Sequence, residues 1–150
     1  MSHTERTLQN LINICEDARE FYSDAIDQTS DPEMKRLCRQ MADIRKGIII
    51  DLRAYARQND LKLDEASNTI GGQVNKFLGE HIAKWSDNTD EALIVYLEEA
   101  EDRCLHSFQE ASNDDDLPLE ARRLITEELT SLQKTHDYMK ELKMALKNAA

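Results

Sequence analysis

A chain of 150 residues is the size of one domain, and 1–150 is expected to fold as one. Charged residues make up 33% and hydrophobic residues 40%, with four Gly and two Pro, so long helices are favoured over strands. The formal net charge of -11, from 30 acidic and 19 basic residues, repels phosphate backbones and anionic lipid, which argues against nucleic acid and membrane as partners.

Ser2 and Glu5 make a capping box for a first helix over about residues 3–28. Its stripe of Leu8, Leu11, Cys15, Ala18, Tyr22 and Ala25 recurs at intervals of three and four. The turn Thr29-Ser30-Asp31-Pro32-Glu33 ends it and opens a second helix over about 31–58, with Asp31 as cap and Pro32 in the first turn. Leu37, Met41, Ile44, Ile48, Leu52 and Tyr55 share one face of that helix. Asn59-Asp60 and Asn68 then punctuate, and Gly71-Gly72 weakens any helix, yet Ile70, Val74, Phe77, Leu78, Ile82 and Trp85 form a stripe. A short helix over about 69–85, inside a long crossover, is therefore expected, and such a crossover lets the second and third helices run parallel. The third helix spans about 89–112, with Leu93, Leu97, Ala100, Cys104, Ser107 and Ala111 on its stripe. After the acidic turn Asn113-Asp114-Asp115-Asp116, Pro118 opens a fourth helix over about 118–147. Ile125, Leu129, Leu132, His136, Met139, Leu142 and Leu146 are its expected core face.

The second pair of stripes echoes the first, and two helical hairpins related by a repeat build an all-α, ferritin-like four-helix bundle. In di-iron bundles of that kind, two helices each supply a Glu and the other two each supply Glu-x-x-His. Carboxylates bridge and neutralise the cations, and the spacing puts both ligands on one inward face. Aligning the stripes sets Arg19 at the first-helix ligand position and Glu101 at the third-helix one. The second helix offers Arg45 or Lys46 followed by Ile48 or Ile49, and the fourth offers Gln133 and His136. The candidate metal set is thus Glu101, Gln133 and His136, a degenerate one, and a buried ion pair of Glu101 with a basic side chain is a simpler occupant than iron.

The runs Leu11-Ile12-Asn13-Ile14-Cys15-Glu16-Asp17-Ala18 and Ser30-Asp31-Pro32-Glu33-Met34-Lys35 resemble those of a family of small bacterial ferritin-like bundles classed as a domain of unknown function. Leu97-Glu98-Glu99-Ala100-Glu101-Asp102, Leu117-Pro118-Leu119 and Thr135-His136-Asp137 fit the same family. The resemblance extends over nearly the whole chain and implies a ferritin-like fold with no agreed activity. Ala100-Glu101 follows the family's small-residue-then-Glu pattern, whereas Ala18-Arg19 departs from it.

Other groups carry bland readings. Cys15, Cys38 and Cys104 are an odd number within helices and lack a C-x-x-C spacing, so reduced, core-filling thiols in a cytoplasmic protein are expected. No apolar run approaches the roughly 20 residues of a membrane span, and no signal peptide is visible. His81 and His106 read as surface or boundary residues, and the Asp114-Asp115-Asp116 run lacks the spacing and glycine of a calcium loop. No nucleophile constellation and no phosphate loop is present. The leading expectation is a non-catalytic bundle with no cofactor, structural, interacting or stress-related, and self-associating, a dimer being favoured; exposed Phe21, Ile26 and Ile50 are the candidates for a dimer contact or, equally, for a surface that takes a partner helix. The alternative is a protein binding iron, manganese or zinc near Glu101 and His136. A third reading, an acidic adaptor for a partner helix, needs an apolar face left over after the core is satisfied.

Overall fold

The computed structural model describes residues 1–64 and 89–149. The described residues form α1 (His3–Gln28), α2 (Pro32–Gln58), α3 (Thr89–Ser112) and α4 (Leu119–Ala149), with no strand among them. The short helix expected over about 69–85, with His81 and Trp85, lies outside the described residues.

Local chemistry sets the helix ends. Ser2 and Glu5 close a reciprocal capping box on α1. The Asp31 carboxylate accepts from Glu33 N–H at 3.0 Å, with Pro32 in the first turn of α2. At the far end of α2, Leu61 N–H donates to Ala56 C=O at 2.8 Å and Asp60 N–H to Arg57 C=O at 3.4 Å, the paired bonds of a Schellman cap. Asp60 takes the left-handed conformation there (φ 54°), which Asp tolerates better than most side chains. Beyond the cap the chain turns across the start of α1: Lys62 N–H donates to Glu5 Oε2 at 2.6 Å and Asp64 N–H to Gln9 Oε1 at 2.7 Å.

Short turns make α1–α2 and α3–α4 antiparallel hairpins. His3 meets Asp114 at the start of α1 and the end of α3, while Tyr22 meets Glu101 near the middle, so α3 runs antiparallel to α1. It follows that α2 and α3 run parallel. Two apolar clusters fill the interior. One gathers Leu8, Ile12, Ile48, Leu52, Phe108 and Ile125 at the end of the bundle where α1 begins. The other gathers Phe21, Tyr22, Leu37, Met41, Leu93, Leu97 and Met139 at the opposite end.

Two expectations need correction. Phe21 is not an exposed contact residue: it is buried, and its ring stands edge-on to Tyr22 with centroids 6.2 Å apart. The inward face of α4 is Ala121, Ile125, Glu128, Leu132, Thr135 and Met139, an unbroken alternation of fours and threes. Glu128 and Thr135 take the inward places that apolarity assigned to Leu129 and His136: Thr135 finds Glu101 in the core, and Glu128 meets the exposed Asp51 beside it. Leu129 is half-buried at the edge of the core.

Gly47 lies on the exposed side of α2, and a methyl group there would meet nothing within 4 Å. Gly47→Ala is expected to raise stability by about 0.5–1 kcal/mol by reducing the freedom of the unfolded chain. Urea unfolding should show a higher midpoint at unchanged slope; a lower midpoint would contradict the helical course of α2 at this residue.

Candidate functional site

Each of the four helices sends one polar side chain into a single layer between the two apolar clusters. Tyr22 comes from α1, Arg45 from α2, Glu101 from α3 and Thr135 from α4. Arg45, Tyr22 and Glu101 are fully buried. The Tyr22 hydroxyl and Arg45 Nη2 both donate to Glu101 Oε1. The Thr135 hydroxyl, which sits 3.0 Å from Leu132 C=O, donates to Glu101 Oε2 at 2.7 Å. Both carboxylate oxygens are therefore engaged. The guanidinium carbon lies 5.9 Å from the centre of the Tyr22 ring, a further attraction for the cation.

Arg45, not Lys46, is the inward residue of α2; Lys46 is exposed. Arg19, the first-helix ligand position of the repeat alignment, is also exposed, and Tyr22 one turn later reaches Glu101 instead. Burial pulls the basicity of Arg45 down, but Cys104, Tyr22 and Glu101 push it further up, and the guanidinium stays charged. Burial, with Glu101 adding to it, pushes the Tyr22 phenol well above its usual range, so Tyr22 acts as a donor. Two nitrogens of the same guanidinium, Nε and Nη1, are buried with no hydrogen-bond partner.

Cys15 of α1 and Cys104 of α3 are both fully buried in the same apolar cluster. The neighbouring Cys104 and the burial raise the Cys15 thiol, whereas Cys15, together with Arg45, holds Cys104 below the ordinary thiol range.

Glu101, Gln133 and His136 lie on facing stretches of α3 and α4, but they point to three different places. Glu101 points inward. His136 sits at the rim, where Nε2 meets Asp102 and Nδ1 lies 3.4 Å from Asp137 Oδ1. Burial works against its charge, but hydrogen bonds to Asp137 and Asp102 raise its pKa overall. Gln133 is exposed and donates to Asp137 Oδ1 at 2.9 Å. At the surface, His3 Nε2 and Asp114 Oδ2 stand 2.7 Å apart, and with Asp116 they form a group whose ligand atoms lie within 4.8 Å of one another. His106 is exposed and pairs with Glu110 one turn along, at 3.1 Å.

A second polar contact joins α2 and α4 beside the core. The nearly buried Glu128 shares a hydrogen bond with Asp51, and burial, then Asp51, push its carboxyl up to about 8. Sequence reasoning placed Tyr22 on the core stripe but missed its bond to Glu101, and it missed the inward places of Thr135 and Glu128. The signal that could find Glu128 and Thr135 is the unbroken spacing of fours and threes from Ala121 to Met139 on which both fall.

Among the described residues, four long helices around a buried polar layer are the class these features define. No helix of the described residues is long and apolar enough to cross a membrane. Among proteins of curated function none matches the chain. Residues 3–114 match the family described as domain of unknown function DUF2383, and the chain belongs to that family. The match takes in Tyr22, Arg45, Glu101 and both Cys15 and Cys104, and ends before α4.

Folded Glu128 keeps its proton up to about pH 8, whereas an unfolded Glu releases it near 4.5. Between those values the folded state binds more protons, so this group's contribution falls as pH rises. Raising the pH through this window should therefore lower stability more in the native protein than in Glu128→Gln. Urea midpoints across the window test this, and parallel profiles for the two proteins would contradict the raised carboxyl. His136 loses its contribution in the same direction but is common to both proteins.

Proposed function

We propose that the chain is a ferritin-like bundle in which an internal ion pair occupies the layer where related architectures hold two metal ions. The observation that carries this reading is the position of Arg45, a fully buried cation bonded to the one carboxylate of the layer. Parallel α2 and α3, and one inward polar residue from each helix, support the ferritin-like assignment. A pair of divalent cations needs several carboxylates to neutralise it. This layer supplies one, with both oxygens engaged, and a positive charge beside it, so its residues do not fit a metal pair. The protein then acts as a non-catalytic scaffold or interaction module, suited to a structural or stress-related role in the cytoplasm. Self-association as a dimer would draw on exposed apolar side chains, among them Ile50, Leu119, Tyr138 and Met144.

The second reading, a metal protein centred on Glu101, Gln133 and His136, requires those side chains to leave their present partners and converge. Elemental analysis of untagged protein after loading with iron, manganese or zinc separates the two. Less than about 0.1 metal per chain, or a metal released by His3→Ala but not by His136→Ala, fits the ion-pair reading. One or two metals per chain released by His136→Ala would overturn it.

A further inference from the structure

We propose that His3, Asp114 and Asp116 form a surface zinc site that staples the start of α1 to the turn between α3 and α4. His3 and Asp114 are 111 residues apart in sequence, yet His3 Nε2 stands 2.7 Å from Asp114 Oδ2. One ligand atom from each of the three side chains lies within 4.8 Å of the others. Zinc bonds of about 2.0–2.2 Å set the atoms of a tetrahedral shell about 3.4 Å apart, so small side-chain rotations bring all three onto one shell.

The fold holds these side chains close before any ion arrives. The capping box of Ser2 and Glu5 fixes the first turn of α1, on which His3 stands. In the turn, Asp114 Oδ1 accepts from Asp116 N–H at 3.0 Å, which leaves Oδ2 for His3. Asp114 C=O accepts from Leu117 N–H at 3.1 Å, and Leu117 is buried, so the turn is tied to the core. Asp115, between the two ligands, pairs instead with Arg122 at 3.4 Å. An imidazole from one hairpin thus meets two carboxylates of the other.

The donor set selects the ion. Two carboxylates cancel the charge of a dication, and one imidazole nitrogen suits zinc. Calcium and magnesium build their shells from oxygen, and His3 offers them none. Zinc takes the place of the proton that His3 and Asp114 share. His3 and Asp116 are exposed and Asp114 is half-buried, so water completes the shell. Because both hairpins supply ligands, zinc binds the folded chain in preference to the unfolded one and stabilises it.

Untagged full-length protein, stripped with a chelator, is titrated with zinc chloride by calorimetry, and its thermal unfolding is followed with and without zinc. About one zinc per chain and a raised unfolding midpoint are expected. His3→Ala and Asp116→Asn should each weaken binding by about tenfold or more and reduce the rise, with circular dichroism confirming that both fold. Asp115→Asn and His136→Ala should bind zinc as the native protein does, and calcium chloride should leave the midpoint unchanged. No zinc taken up, native affinity in His3→Ala, equal losses in Asp115→Asn and Asp116→Asn, or an equal rise with calcium would each overturn the proposal while leaving the reading of the central layer intact. Zinc kept by His3→Ala and released by His136→Ala would overturn both.

Discussion

The contact between Arg45 and Glu101 governs the rest of the interior. A buried carboxylate or guanidinium is costly unless both charge and hydrogen bonds are matched. Here Glu101 takes three donors from three other helices, and Arg45 supplies the compensating charge. Each helix can meet that layer in only one rotational setting. The layer therefore fixes register between the two hairpins, which the apolar clusters on either side do not do by themselves, since Leu, Ile and Ala pack in several registers. A buried polar group that sets register at some cost in stability is the role best attested for such layers.

The geometry also explains why Gln133 and His136 face elsewhere. Once Thr135 and Met139 point inward, His136 is carried to the rim and Gln133 to the surface by the rotation of about 100° per residue along the helix. There both turn to the acidic residues of the surface, Asp102 and Asp137. The charge at the centre is set by α2, where the chain places Arg45 on the inward face and Lys46 outside.

Much of this was legible in the residues. The helix starts at Ser2 and Asp31 and the stop at Asn59-Asp60 were readable because caps and turns are local chemistry. The stripe of α1, and that of α3 except where the fully buried Phe108 takes the inward place expected for Ser107, were readable because their inward positions are almost all apolar. The face of α4 was misread by one residue at two positions. Hydrophobicity prefers Leu129 and His136, and nothing local reveals that Glu101 waits in the core for Thr135 and Asp51 beside the core for Glu128. Tyr22 was visible as a core residue, but its hydroxyl is a donor to Glu101 only once α1 and α3 are set side by side. A buried pair of Glu101 with a basic residue could be anticipated from the cost of an unpaired charge; choosing Arg45 over Lys46 needed the helix rotation.

The most direct test of the central claim is a double-mutant cycle on stability. Native protein, Arg45→Met, Glu101→Gln and the double variant are compared by urea unfolding. Each single change strands a buried charge or carboxylate, and a loss of about 3–5 kcal/mol is expected for each. The double variant removes both charges while leaving an acceptor for Tyr22 and Thr135, and it should recover most of that loss, to within about 1 kcal/mol of native. Losses that simply add in the double variant, or singles that cost nothing, would contradict an interior organised around this ion pair.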